Sequence, residues 1–274
     1  TGHGAIGALA KADFQMTDKG HMGPSNLWNV ADAGKPSAFP RCPWAMDLSD
    51  KPFPGRPEKG KPAPASPSRL GEWFWESGFD HDPITGGEHI RDQNLRAMYG
   101  AWDALKNADS LYPNHKLKWA AYIAGNRESR RLVGDVVVAK EDVLSGRQWP
   151  DACVPCTWSI DLHLPDARYE KGFEGEPFIS EAHYNRFKGP YWIPYRCLYS
   201  RNVENLFMAG RDISVTHEAL GTVRVMRTTG MMGEVVGMAA AVCKDYNTTP
   251  RGVYEEHLVQ LKALMAKGAG KAGS

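Results

Sequence analysis

The chain has 274 residues, which is long enough to bury a sizeable core in one large or two small domains. Lysine and arginine together number 33 and aspartate and glutamate 32, so the formal net charge is +1 at pH 7. This balance gives no electrostatic case for a nucleic acid or an anionic membrane as a partner. The longest apolar stretch, Met231–Cys243, contains Glu234 and is too short to span a bilayer.

The five cysteines are too few and too scattered to predict a disulfide scaffold. Cys153 and Cys156 have the spacing of a redox motif or of half a zinc site, but no second CxxC completes such a site. We favour two small apolar residues beside Trp158 and predict no metal site. No signal peptide is visible. Because position 1 is Thr1 rather than Met, the sequence indicates no cellular compartment.

The first residues contain the spacing G-x-G-x-x-G at Gly2, Gly4 and Gly7. This motif binds a dinucleotide when it follows a strand and opens a helix, and no strand precedes it in this sequence. On its own, the motif is therefore a weak indication of phosphate binding.

The segment 36–67 holds nine of the 19 prolines of the chain. Proline fixes φ and lacks an N–H group, so this composition predicts an extended surface excursion. Aromatic residues follow at 73–79, where we expect a strand or the core of a sheet. Apolar residues at helical spacing then predict a helix over His89–Lys106.

A cluster of charged residues, Arg127–Arg131, lies between two apolar runs. One interpretation is a solvated turn with internal ion pairs. The other is that Arg130 or Arg131 faces an anionic group while Glu128 orients the arginine. Further along, His163 alternates with apolar residues and would share a strand face with Asp161. This histidine is either a structural residue or an acid–base group, and the pattern leaves both interpretations open.

The segment 205–243 is the most informative part of the sequence. Its apolar run Leu206–Ala209 predicts a buried strand that ends at a turn on Gly210. A polar loop follows, and then small residues at helical spacing predict a helix over Val223–Lys244. Three glycines on one face of this helix, Gly230, Gly233 and Gly237, each cost about 1 kcal/mol relative to alanine. We therefore expect another backbone or a flat ligand to pack on that face, the alternative being an ordinary buried helix with Arg211 and Arg224 as surface charges.

Four blocks in this order resemble the C-terminal half of a bacterial family of FAD-dependent oxidoreductases, flavoproteins of the glutathione-reductase-like class. The blocks are GEHIRDQNLRAMYGAWDALKN (Gly87–Asn107), NRESRRLVGDVVVAKEDV (Asn126–Val143), WSIDLH (Trp158–His163) and YWIPYRCLYSRNVENLFMAGRDIS (Tyr191–Ser214). The resemblance implies an α/β fold, in which a Rossmann-like FAD-binding domain is interrupted by a sheet-containing substrate domain. It implies a remnant of the FAD-binding domain at 1–30, a substrate domain at 31–190 and a return to the FAD-binding domain at 191–250. A C-terminal helix and a disordered tail are expected at 251–274.

The same resemblance implies FAD as the cofactor and suggests which residues bind it. The turn at Gly2 is similar to a glycine turn late in the first FAD-binding region of flavoproteins, so the phosphate-binding fingerprint is expected upstream of this chain. Gly210, Arg211 and Asp212 would meet the ribityl-pyrophosphate. The backbone N–H groups of Thr222, Val223 and Arg224, at the start of the following helix, would meet the pyrimidine edge of the flavin.

The expected function is hydride transfer from a small, carbohydrate-like substrate to flavin N5. His217 or His163 would act as general base, and Arg130 would face the flavin or an anionic group of the substrate. The expected partners are this substrate and the missing N-terminal FAD-binding half, without which the chain would bind FAD weakly and be inactive. Two alternatives remain open: a non-catalytic subunit that completes a flavoprotein, and a tryptophan-rich carbohydrate-binding module.

Overall fold

The computed structural model describes residues 2–58, 67–170 and 173–268. Part of the predicted proline-rich excursion, 59–66, lies outside the described residues, and so does 269–274 of the predicted disordered tail.

The described part of the chain contains seven α-helices, a π-helical turn and three short 3-10 helices. The α-helices are α1 (Ala5–Leu9), α2 (Gly87–Asp103), α3 (Lys140–Ser145), α4 (His217–Val223), α5 (Met226–Tyr246), α6 (Pro250–Glu255) and α7 (Leu258–Lys267). The π-helical turn is Ala104–Ala108, and the 3-10 helices are Pro67–Arg69, Ala167–Tyr169 and Tyr195–Cys197. The helix predicted over His89–Lys106 is confirmed by α2 and the π-helical turn that continues it.

All the sheets in this part of the chain have two strands. The strands are β1 (Phe14–Gln15), β2 (Trp28–Asp32), β3 (His115–Ala120), β4 (Arg131–Leu132), β5 (Ala152–Cys156), β6 (Ile160–Pro165), β7 (Ser180–Asn185) and β8 (Tyr191–Pro194). The pairs β1–β4, β2–β3 and β5–β8 are antiparallel, and β6 pairs with β7. The mixed α/β character is therefore as expected, while the Rossmann-like organisation with an inserted domain stays a prediction.

The chain divides into two compact units. The first unit comprises Thr1–Thr17, Glu128–Leu162 and His183–Ser274, and the second unit comprises Asp18–Arg127 and His163–Ala182. These bounds differ from the predicted domain limits near 31 and 190, because 18–30 falls in the second unit and 128–162 in the first. Proline content indicates where the chain is extended but not which segments pack together. The roles assigned to the predicted domains stay predictions.

Tryptophans form the centre of the second unit. The ring of Trp28 packs edge-on against Trp75 and Trp102, with centroids 5.5 and 6.3 Å away. The helix α2 contributes Met98 and Trp102 to this core, and the π-helical turn contributes Leu105. Large aromatic side chains supply much apolar area, so this part of the tryptophan content stabilises the fold.

The aromatic segment at 73–79 belongs to the same core but forms no continuous strand. Trp75 makes an isolated bridge with Ile179, and Glu76 makes one with Ser25. Trp75 and Phe79 are buried, as the sequence predicted for a sheet core.

In the first unit, α5 packs against β5, α6 and α7. Its buried residues lie on one face and are Thr228, Met232, Val235, Ala239 and Val242. No helix in the described residues is both long and apolar enough to cross a membrane.

The prediction that α5 packs by its glycine face is wrong. Gly230, Gly233 and Gly237 are exposed, and a Cβ added at any of them would meet no atom within 4 Å. The opposite face is buried because each methionine or valine side chain that leaves water contributes about 1.5–3 kcal/mol, whereas glycine has no side chain to bury.

Two further elements of this segment differ from the prediction. Leu206–Ala209 is not a strand; only Phe207 bridges Tyr199, and Leu206 N donates to Val203 O in a turn. The helix predicted from Val223 is two helices, since Val225 is extended (φ −72, ψ 146) between α4 and α5. A run of apolar and small residues shows helical spacing but does not reveal a single extended residue within it.

Candidate active site

A buried carboxylate holds His217, the first residue of α4. Thr216 caps this helix by accepting a hydrogen bond from Ala219 N. The Nδ1 atom of His217 lies 2.9 and 2.8 Å from the two carboxylate oxygens of Glu128. The side chain of Glu128 is 1% exposed and that of His217 is 21% exposed. A carboxylate accepts hydrogen bonds, so Nδ1 carries a proton, and Nε2 is the nitrogen that can offer a lone pair.

Two more side chains fix Glu128. Arg131 donates from Nη1 to Glu128 at 2.5 Å, and Thr17 donates from its hydroxyl at 2.8 Å. Arg131 also donates from Nε to Val215 O at 3.1 Å. Burial alone would raise the pKa of Glu128, but the hydrogen bond and charge of His217 and the charge of Arg131 hold this pKa below its usual value. The carboxylate therefore stays ionised, and the solvated-turn interpretation is wrong for Glu128 and Arg131.

A second histidine–glutamate–arginine group lies in the second unit. His163 Nδ1 lies 3.1 and 3.0 Å from the carboxylate oxygens of Glu76, which Arg127 also contacts through Nε. The ring of Trp73 packs on His163, with centroids 4.7 Å apart. His163 lies on β6 as predicted, and its side chain is only 5% exposed. This burial favours the structural interpretation of His163.

The predicted FAD-binding residues Gly2 and Arg211 meet in the first unit. Arg211 donates from Nε to Gly2 O at 3.1 Å, and its Nη2 lies 3.3 Å from Nδ1 of His3. Gly2 is left-handed (φ 74), and a Cβ at this position would meet no atom within 4 Å. Gly210 also has a positive φ, 130, and is buried. Asp212 is 1% exposed, and burial raises the pKa of its carboxyl group.

Positive charge is concentrated near His3. Partial burial of its ring, and then the charges of Arg211 and Arg130, lower the pKa of His3. The guanidinium of Arg130 lies over the ring of Phe14, 5.4 Å from its centroid. Burial also lowers the pKa of Arg211. An anion would relieve the repulsion among these groups, so the surroundings of His3 are suited to binding one.

The prediction that a helix starts at Thr222–Arg224 is wrong. These residues close the C-terminal end of α4, and Arg224 N donates to Leu220 O at 3.1 Å. Arg224 also donates from Nη2 to Asp161 O at 3.1 Å. The free N–H groups of a helix start are absent at Thr222–Arg224, because α4 begins at His217, and this removes the geometric basis for the predicted flavin contact.

Cys153 and Cys156 are buried free thiols in β5. Burial raises the pKa of Cys156 to about 12 and raises that of Cys153 as well. These are properties of structural cysteines, as favoured from the sequence.

A family model described as "FAD dependent oxidoreductase" matches residues 1–265. The chain belongs to the FAD-dependent oxidoreductase family. A search of the curated proteins and a search of the solved structures found no match. The match confirms the family resemblance and FAD as the cofactor, while the glutathione-reductase-like class stays a prediction. Because it spans 1–265, it also displaces the alternative of a carbohydrate-binding module.

The residues around Gly2 fit the negatively charged part of FAD. A left-handed glycine with open space where a Cβ would stand lets a ligand approach the backbone closely. The guanidinium of Arg211 lies beside this glycine and is suited to an oxyanion.

Reasoning from the sequence overlooked Glu76 and Thr17. Glu76 follows three consecutive aromatic residues, of which Trp75 is buried, and an acid next to such a run is a signal of a buried, paired carboxylate. Thr17 lies in a loop after β1, and no local pattern indicates its contact with Glu128.

Proposed function

We propose that this chain catalyses the oxidation of a small, carbohydrate-like alcohol with FAD as the oxidant. The observation that carries this proposal is the buried Glu128 carboxylate bonded to His217, whose side chain is 21% exposed. When bound, FAD supplies the capacity to accept a hydride from carbon. The residues of this chain then have to bind the substrate and remove its hydroxyl proton.

His217 is the general base in this proposal. Its Nε2 takes the proton of the substrate hydroxyl, and the ionised Glu128 stabilises the imidazolium that results. A positioned base of this kind contributes about 10²–10⁴-fold to a rate. His163 is less suited to the role, because its side chain is nearly inaccessible. We assign His163 to holding Glu76 and Arg127 in place.

Gly2, Gly210, Arg211 and Asp212 serve FAD in this proposal. The glycines allow close approach of the ribityl-pyrophosphate and Arg211 neutralises its charge, while the buried Asp212 is assigned to holding this turn. Burial and the charges of Arg211 and Arg130 lower the pKa of His3, and Arg130 is proposed to face the flavin.

The main phosphate-binding fingerprint of FAD is proposed to lie outside these 274 residues. The G-x-G-x-x-G at Gly2, Gly4 and Gly7 leads directly into α1, and no strand of the described residues precedes it, whereas a dinucleotide fingerprint follows a strand. The chain alone is therefore proposed to bind FAD weakly.

The test of His217 is the rate at which a panel of aldoses and polyols bleaches the FAD absorption of the complete protein without oxygen. In His217→Gln we expect the rate to fall about 10²–10⁴-fold and the pH profile to lose one ionisation. In Glu128→Gln we expect a smaller fall. His183→Gln, at an exposed position on β7, is the matched control and should react as the wild type. An unchanged rate and pH profile in His217→Gln would exclude this histidine as the base.

A further inference from the structure

Three potential metal ligands converge in the second unit, outside the site described above. His81, His89 and Glu176 each offer a ligand atom, and these atoms all lie within 4.8 Å of one another. Oε1 of Glu176 lies 2.5 Å from Nε2 of His81 and 3.1 Å from Nε2 of His89. The two imidazole rings have centroids 4.8 Å apart.

Residues on one face of α2 hold the loop that contains Glu176. His89, Gln93 and Arg96 lie at i, i+4 and i+7 of this helix and therefore share a face. Arg96 donates to Glu174 at 2.6 Å. Gly175 lies so close to Gln93 that a Cβ would be 2.7 Å from its Nε2. Contacts at the two residues before Glu176 thus hold the loop against the helix.

The main chain of His81 is held from the other side. Buried His21 bonds His81 O through Nε2 at 2.6 Å, and His81 N donates to Gly78 O at 3.2 Å. A cavity of about 180 Å³ borders His81 and Glu176, with Phe79, Pro165 and Pro177 among its walls. This cavity leaves room for water beside the cluster.

We propose that His81, His89 and Glu176 bind a zinc ion that fastens the loop containing Glu176 to the start of α2. Two imidazoles and a carboxylate are a known zinc ligand set, with water in the fourth position. Tetrahedral zinc at about 2.0–2.1 Å from each ligand needs these atoms roughly 3.4 Å apart, so small movements suffice. Imidazole also favours zinc over magnesium.

The test is calorimetric titration of the untagged, chelator-treated chain with zinc chloride. We expect one zinc ion per chain and a melting temperature that rises with zinc. The affinity should fall more than about 100-fold in His81→Gln and Glu176→Gln, since a lost ligand costs more than a lost supporting contact, which costs 10–100-fold. His183→Gln should bind as the wild type, and magnesium chloride should not compete.

Zinc binding that is absent, or equal in all these variants, would overturn the proposal and leave a hydrogen-bonded cluster. Circular dichroism of each variant confirms that it folds, and a cobalt(II) titration gives a second readout through the visible bands of tetrahedral cobalt. Since no step involves FAD, the result is independent of the proposed oxidation chemistry.

Discussion

At the scale of single residues, burial separates the two candidate histidines. Both bond a buried glutamate through Nδ1, and in both cases an arginine contacts the same carboxylate. Only His217 keeps part of its ring exposed, which a base needs in order to reach a substrate. The sequence identified both histidines but could not rank them, because the burial of each depends on residues distant along the chain.

Glu128 makes the stability of the first unit sensitive to acid. The pKa of Glu128 is lowered in the folded chain, so its contribution is present above the unfolded value of about 4.3 and is lost as pH falls through the folded pKa. We expect the free energy of unfolding to fall below about pH 4.3, and to fall less steeply in Glu128→Gln. Urea unfolding from pH 7 to pH 3 measures this. Equal pH dependence in the two proteins would mean that the carboxylate is not stabilised as described.

The reactivity of the five cysteines gives a separate prediction. Burial raises the pKa of Cys156 to about 12 and also raises that of Cys153 and Cys197, so all three should resist iodoacetamide in the native chain at pH 8. Cys42 and Cys243, which are only half-buried, should react first. Mass spectrometry of the alkylated chain measures this. Rapid labelling of Cys153 and Cys156, or a disulfide between them, would favour the redox motif instead.

At the scale of elements, replacing one glycine in α4 and one in α5 by alanine should change the stability of the fold in opposite directions. In α4, a Cβ on Gly221 would lie 2.8 Å from Asp161 N and 2.9 Å from Asp161 O. This contact is with backbone, so Gly221→Ala should destabilise the fold by about 1–3 kcal/mol. In α5, Gly237 has an open face, so Gly237→Ala should stabilise the chain by up to about 1 kcal/mol.

Urea unfolding of the two variants measures both changes, and each variant is the control for the other. A destabilising Gly237→Ala would mean that something packs on the glycine face of α5, as the sequence predicted. A neutral Gly221→Ala would mean that α4 can move away from β6.

The sequence predicted elements wherever a long periodic pattern was present. The helix α2 and the π-helical turn after it carry five apolar residues at helical spacing, and the predicted helix is confirmed. The strand predicted over Leu206–Ala209 is absent because a strand also needs a partner along its length. Such pairing depends on segments that are distant in sequence. Glycine spacing on α5 was misread as a packing face, although its methionine and valines supply far more apolar area.

At the scale of the whole molecule, the family and the cofactor could be predicted from the order of four sequence blocks. The arrangement of the site could not, because Thr17, Glu128 and His217 come together only through the fold. The same limit explains the domain bounds, since 128–162 packs with the first unit although it lies between two segments of the second.

The proposal that FAD phosphates are bound elsewhere makes a prediction for the isolated chain. The 274 residues alone should bind FAD only weakly, because Gly2 and Arg211 provide one part of an anion site. Quenching of FAD fluorescence on titration with the chain measures the affinity. Sub-micromolar binding would show that the chain holds the complete cofactor site.

The most direct test of the central claim is the visible absorption spectrum of the complete protein, purified with all of its natural sequence. We predict the two bands of oxidised flavin, one FAD released per chain on denaturation, and a marked loss of flavin in Arg211→Ala. A colourless protein that takes up no FAD when it is supplied would contradict the assignment of this chain to FAD-dependent oxidation.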